Sequence, residues 1–206
     1  MTANTTSQGA APPEERVVLK DPPLAALLAW LVPGLGHLYQ GRIAKGILFF
    51  VCLTSTFAYG CYLGGSRELG WGRVVYVAWR DDDRRLAYLC QVGIGLPAVP
   101  AIVQASLVNK GKAPRWNGFM APPRPEGFAN VGEAAANALS NQPTLDELHF
   151  QLRGYFDLGT AYTMIAGLLN ILAVYDAWGG PVFPESAKKE DDEPPREKPV
   201  PPEKNQ

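Results

Sequence analysis

The chain has 206 residues, of which 47% are apolar and 19% charged, with a formal net charge of -1. So even a balance supplies no basic field for a phosphate backbone, and no basic patch interleaved with aromatics appears, so nucleic acid is excluded as a partner. The mean hydropathy of -0.08 averages very apolar and very polar segments, so it does not separate a soluble from a membrane class.

Residues 1–22 are polar and rich in Pro, Ala and Thr, and are read as a disordered tail. They lack the basic-then-apolar layout of a cleaved signal, so the apolar run behind them, residues 24–39, is expected to be retained. As helix that run reaches roughly 24 Å, short of a hydrocarbon core of about 30 Å, and Pro33 and two glycines weaken its second half. A crossing with local thinning of the bilayer is favoured over a re-entrant path. The polar turn that follows carries Pro33, Gly34, Gly36, His37, Tyr39, Gly41 and Arg42 and is read as interfacial. His37 has no second histidine or suitably spaced carboxylate beside it, so it is a turn residue and not a metal ligand.

Residues 44–63 form a second apolar segment in which Lys45 is the one charge, placed where it can snorkel. The hydroxyls of Thr54, Ser55 and Thr56 are expected to bond back to their own helix. Residues 64–85 then combine Trp71, Tyr76 and Trp79 with the charged run 80–85, a composition suited to a membrane-surface loop. Its stretch 73–79 does not alternate cleanly enough for a strand. The acidic run 81–83 is flanked by arginines and reads as a self-neutralising turn, not a divalent-cation site.

The third apolar segment, residues 86–108, contains Gly93, Gly95, Pro97 and Pro100. Each proline removes a helical hydrogen bond, freeing the carbonyls of Gly93 and Leu96, with Gln91 and Gln104 on either side of the break. A kink satisfied by neighbouring helices is the favoured reading; a transporter binding site is the sharper alternative. Residues 110–156 begin as a loop with Pro114, Pro122, Pro123 and Pro125. They then turn helical, and Thr144 with Glu147 matches a capping box that opens a short amphipathic surface helix to about Arg153. Leu145, Leu148 and Leu152 share its apolar face.

The fourth segment, residues 158–178, is two-faced at 100° per residue. Gly159, Thr160, Thr163, Ala166, Gly167, Asn170, Ala173 and Ala177 fall on one side, and Leu158, Ala161, Ile165, Leu168, Leu169 and Leu172 on the other. The small-polar side is a helix-packing face, on which Asn170 makes a structural hydrogen bond across helices. Asp157 is expected to cap the helix start, and Asp176 near its end to need a basic partner, sought in the run 80–85. The tail 181–206 is rich in Pro, Glu and Lys and is expected to be disordered. Cys52, Cys61 and Cys90 lie in apolar surroundings with neither zinc spacing nor a disulfide framework.

The expectation is therefore an all-α integral membrane protein whose residues 23–180 form one domain. Four transmembrane helices (about 24–39, 44–63, 86–108 and 158–178) make it up, the first one short, with a short amphipathic surface helix. The basic-residue count favours cytoplasmic N- and C-termini in the cell membrane. The turn 33–42, PGLGHLYQGR, resembles that of the two-transmembrane-hairpin domain proteins, with Leu38 in place of their first aromatic. This resemblance covers residues 24–63. The wider chain, through residues 95–104 (GLPAVPAIVQ) and 156–170 (FDLGTAYTMIAGLLN), resembles an uncharacterised planctomycete-type family of bacterial membrane proteins. Neither resemblance carries a catalytic residue with it.

No G-x-S-x-G, P-loop, H-E-x-x-H or dinucleotide fingerprint occurs, so no catalytic, cofactor-binding or metal-binding residue is assigned. The leading expectation is a non-enzymatic scaffold or accessory subunit, in contact with the bilayer and with a protein partner or a second copy through small-residue helix faces. A small transporter or channel component using Gln91, Gln104 and Asn170 is the alternative, and a membrane-embedded enzyme the third.

Overall fold

Proline and glycine decide where each apolar segment stops being helix. The computed structural model describes residues 20–79, 84–125 and 132–180, with one body formed by Lys20–Gly179. The two expected tails, beyond residues 20–22 and 180, and the acidic run 81–83 lie outside the described residues.

Helix α1 (Pro22–Leu31) opens on proline, whose missing N–H is no loss in a first turn. It ends at Val32, held extended (φ -135, ψ 120) ahead of Pro33. Gly34, at φ +82, then sends the chain back through α2 (Leu35–Tyr39). Tyr39 Oη donates to Asp21 Oδ2 at 3.2 Å, and Lys20 Nζ stands 4.8 Å from the centroid of the Tyr39 ring. Both ends of the first apolar segment thus lie side by side. The segment folds back on itself instead of running on as one helix.

Helix α3 (Ile43–Leu63) is unbroken over 21 residues, about 32 Å at the standard rise. The stretch behind it, expected at the surface, is core: Val74, Val75 and Tyr76 are fully buried. It is fastened by Arg73 N–H to Gly64 O (2.8 Å) and Gly72 N–H to Cys61 O (3.1 Å). Its apolar run has no period to show which side faces inward, and the flanking charges mask it.

The third apolar segment is also a hairpin. Helix α4 (Ala87–Gln91) runs through the 3-10 turn Val92–Ile94 to Gly95 (φ +84), and the chain reverses through Leu96–Ala98 into α5 (Val99–Asn109). Tyr88 Oη donates to Ala98 O at 3.0 Å, tying the two arms together. At the open end, Val108 and Asn109 line a small cavity with Val77, Ala78 and Trp79, while Arg85 N–H donates to Ala78 O.

Two short helices follow, α6 (Glu133–Ala138) and α7 (Leu145–Leu152). The capping box of α7 is formed, with Glu147 N–H to Thr144 Oγ1 at 3.1 Å and Thr144 N–H to Glu147 Oε2 at 2.9 Å. Helix α8 (Gly154–Gly179) has 26 residues, about 39 Å.

The described residues therefore form an all-α fold of eight helices, of which two, α3 and α8, are long and apolar enough to cross a membrane. The four-crossing expectation is corrected. Helices α1 and α5, at 10 and 11 residues, reach only about 15–17 Å, because Pro33 and Gly34 in one segment and Gly95 and Pro97 in the other reverse the chain. Helices α3 and α8 run antiparallel: Gly60 meets Gly159 and Thr163 at one end, and Lys45 meets Asp176 at the other. The hairpins approach from those opposite ends and touch, with the Trp30 and Leu31 carbonyls lying where a Gly95 side chain would project.

Candidate functional site

The meeting point of the hairpins is a place where backbone carbonyls lose their donors. In a helix the carbonyl of residue i accepts from the N–H of residue i+4, so Pro33 orphans Ala29 O and Pro97 orphans Gly93 O. Fully buried Asn170, on α8, replaces both donors: its Nδ2 donates to Ala29 O at 3.2 Å and to Gly93 O at 2.9 Å. Gln91, also fully buried, donates to Val74 O (3.1 Å) and to Thr163 Oγ1 (2.8 Å), and Thr163 bonds back to Gly159 O. Gly159 and Gly167 allow the approach, since a side chain on either would strike backbone of α3 or α4 respectively. The opposite side of α8, including Leu158, Ile165, Leu168, Leu169 and Leu172, is exposed.

Gln104 does not join this group. Its Nε2 donates to the carbonyls of Arg115 (2.7 Å) and Phe119 (2.9 Å), and its Oε1 accepts from Arg115 N–H (2.9 Å), clamping the loop beyond α5. The three amides proposed to line one binding site are thus divided between the hairpin junction and the loop. Replacing Asn170 by Leu should leave two buried carbonyls unpaired. That is expected to cost about 2–5 kcal/mol of stability, seen as a lowered unfolding midpoint of the purified chain in detergent. An unchanged midpoint would contradict the bridging role.

A second cluster joins the polar turn to the end of α8. His37 Nε2 lies 2.7 Å from Asp176 Oδ2, Arg42 Nη2 3.2 Å from the same oxygen, and Lys45 Nζ 2.8 Å from Oδ1. Gln40 Nε2 adds a bond to Ala177 O at 2.6 Å. A carboxylate in the last turn of a helix faces the negative end of its dipole, and these cationic and hydrogen-bonding groups offset that. Around them, Pro33 ends α1 and Gly34 and Gly36 let the hairpin pack on Gly46 and Ala25, whereas Gly41 faces open space.

This corrects the expected partner of Asp176. Arg85, from the charged run, instead donates to Val74 O (2.8 Å) and Thr160 Oγ1 (2.9 Å) and lies over the Tyr76 ring. Asp157 is likewise not a cap: α8 begins one turn earlier, at Gly154, and the Asp157 side chain is 80% exposed, 3.9 Å from His149.

Arg73 is the residue that sequence reasoning passed over. It is buried, donating through Nε to Leu69 O (2.5 Å) and through Nη1 to Gln142 Oε1 (2.7 Å), at the wall of a polar cavity of about 350 Å³. The arginine interrupting an otherwise apolar run, GRVVYVAW, is the one sequence signal that marks it. No group of three or more His, Cys, Asp and Glu able to hold a metal ion occurs among the described residues. Chemically, the two helix-associated clusters satisfy buried carbonyls and offset the charge of Asp176.

No curated protein and no solved structure matches the chain. A family model described as "Family of unknown function (DUF6677)" matches residues 24–190, and the chain belongs to that family.

Proposed function

We propose that this member of a family of unknown function is a membrane-embedded, non-enzymatic scaffold or accessory subunit. Two helices cross the bilayer, and two re-entrant hairpins fill the space beside them. The length of α3 and α8 supports the membrane placement. So does their burial: only 28% and 33% of their most apolar stretches is covered by the rest of the fold, too little for core helices. Their uncovered faces carry Ile47, Leu48, Val51, Leu168, Leu169 and Leu172, with Tyr175 and Trp178 at one end where interfacial aromatics belong.

In this reading Lys20 and Asp176 lie on one side of the membrane, and the loops around Arg73 and Arg115 form a head on the other. The bases near the crossings then fall mostly on the head side: Arg67, Arg73, Arg84, Arg85, Lys110 and Lys112, against Lys20, Arg42 and Lys45. Counted over the described residues alone, the positive-inside rule favours a cytoplasmic head; the count that includes the basic tails favours cytoplasmic termini. The resemblance of the turn to the two-transmembrane-hairpin proteins remains one of sequence at residues 33–42, with the first arm re-entrant here.

The observation that carries the accessory role is the fate of the intramembrane amides. Asn170, Gln91 and Gln104 all direct their NH2 groups to acceptors within the chain. Crosslinking in native membranes followed by affinity purification should recover a stoichiometric protein partner. A chain recovered alone, together with substrate-dependent flux in liposomes that Asn170→Ala abolishes, would favour the transporter reading instead. That reading has one point for it, the buried Asn170 Oδ1 and Gln91 Oε1, which have no hydrogen-bond partner.

A further inference from the structure

Arg73 is a buried cation whose bonding partners are neutral. The residue is 4% exposed, and the acceptors that meet it, Leu69 O and Gln142 Oε1, carry no charge. None of the ion pairs among the described residues includes it. Burial pulls its pKa down to about 10, with no charged neighbour raising it again, so the guanidinium stays protonated at neutral pH. A desolvated charge without a counter-ion is among the costliest side chains a fold can bury.

The chain around it is shaped to make room. Gly118 sits at φ +70, and a Cβ there would come within 2.5 Å of Arg73 Nη2 and 2.6 Å of Gln142 Oε1. Its neighbours Trp116, Asn117 and Met120 are non-glycine residues held at positive φ, a conformation that needs outside support. Gln104 supplies that support through its bonds to Arg115 and Phe119.

The polar cavity that Arg73 lines, about 350 Å³, is also bounded by Arg124, by the amides of Asn117, Asn141 and Gln142 and by the carboxylates Glu68 and Glu147, and is of a size that holds small ligands. Neither carboxylate pairs with Arg73. Arg124 is already close to a carboxylate, 3.6 Å from Glu147 Oε1, but both side chains are largely in solvent and the pair can open. Two guanidinium forks and neutral amides offer more donors than a carboxylate has oxygens, and match a phosphate.

We propose that this cavity binds its ligand through a phosphate group, with Arg73 as the buried anchor and Arg124 as the second cation. The phosphate comes either from a soluble phosphate ester or from the headgroup of a phospholipid, and the two sources are separable. The test uses the full chain purified in detergent, with inorganic phosphate replacing chloride at constant ionic strength. Wild type should show a saturable rise of about 2–4 °C in its unfolding midpoint, or else retain a stoichiometric phospholipid visible by phosphorus NMR of a solvent extract. The retained lipid would identify the headgroup as the source; the saturable response without it would identify a soluble ester.

Gln142→Glu is the decisive variant. It keeps the side-chain length and supplies the missing carboxylate next to Arg73 Nη1. It should raise the midpoint in chloride and abolish both the phosphate response and lipid retention. Arg124→Gln, which leaves the Arg73 bonds intact, should weaken the response by about tenfold in phosphate concentration. A wild type with neither response nor retained lipid would overturn the proposal. So would a folded Gln142→Glu or Arg124→Gln chain that behaves as wild type.

Discussion

Gly95→Val should be the most damaging single change in the chain, lowering stability by more than about 4 kcal/mol and leaving little monodisperse protein in detergent. Two independent effects add. The backbone at Gly95 has φ +84 and ψ -132, which a β-branched L-residue adopts only at a cost of roughly 3 kcal/mol. Its side chain would also strike the carbonyls of Trp30 and Leu31, which belong to the tip of the other hairpin and cannot rotate away. Gly41→Ala is the matched control. Gly41 also has positive φ, +81, but its side chain would meet nothing within 4 Å, so only the backbone strain of about 1–2 kcal/mol remains. Unfolding midpoints of the two variants under one detergent condition check the pair; similar losses would mean that the hairpin tips do not touch.

Asp176→Asn should destabilise the chain by about 2–3 kcal/mol, and high salt should restore part of the loss. The substitution keeps the shape of the side chain and removes the charge that holds His37, Arg42 and Lys45 together. Buried His37 loses its hydrogen-bond acceptor, and Arg42 and Lys45, 19% and 38% exposed, are left as a cation pair whose repulsion is only partly screened by solvent. Lys45→Met alone, touching the most exposed partner, should cost about 1 kcal/mol or less. Denaturant unfolding at low and high salt separates these outcomes. Equal losses for the two variants, or no salt dependence for Asp176→Asn, would contradict a carboxylate that clamps the two cations Arg42 and Lys45.

The length of α3, the packing stripe of α8 and the cap of α7 follow local rules and could be read from residue spacing, whereas the spacing puts the start of α8 a turn too late. What the spacing left open was the direction of the chain after a breaker. Pro33 and Pro97 show that a helix stops, but a kink and a reversal begin with the same residues. The choice is made by Gly34 and Gly95 at positive φ and by what the returning arm meets. One signal was available. The i-4 rule marks Ala29 O as orphaned by Pro33 just as it marks Gly93 O as orphaned by Pro97, and Asn170 is the one amide on the packing face of the last helix. Two carbonyls in need of donors and one NH2 group imply that the two breaks meet. The partner of Asp176 had no such signal, because His37 and Lys45 are 139 and 131 residues away along the chain. Arg73 was hidden for a different reason: its position among Val74, Val75 and Tyr76 looked like a surface loop, and only the fold turns that run inward.

In the proposed arrangement two hairpins enter the bilayer from opposite sides beside two crossing helices. Single cysteines in a chain freed of Cys52, Cys61 and Cys90, labelled from either side of sealed vesicles with a membrane-impermeant maleimide, test that directly. Lys20→Cys and Gln40→Cys should label from one side, and Arg67→Cys and Lys110→Cys from the other. Labelling of Lys20→Cys and Gln40→Cys from opposite faces would show that the first segment crosses, and would contradict the fold's central arrangement.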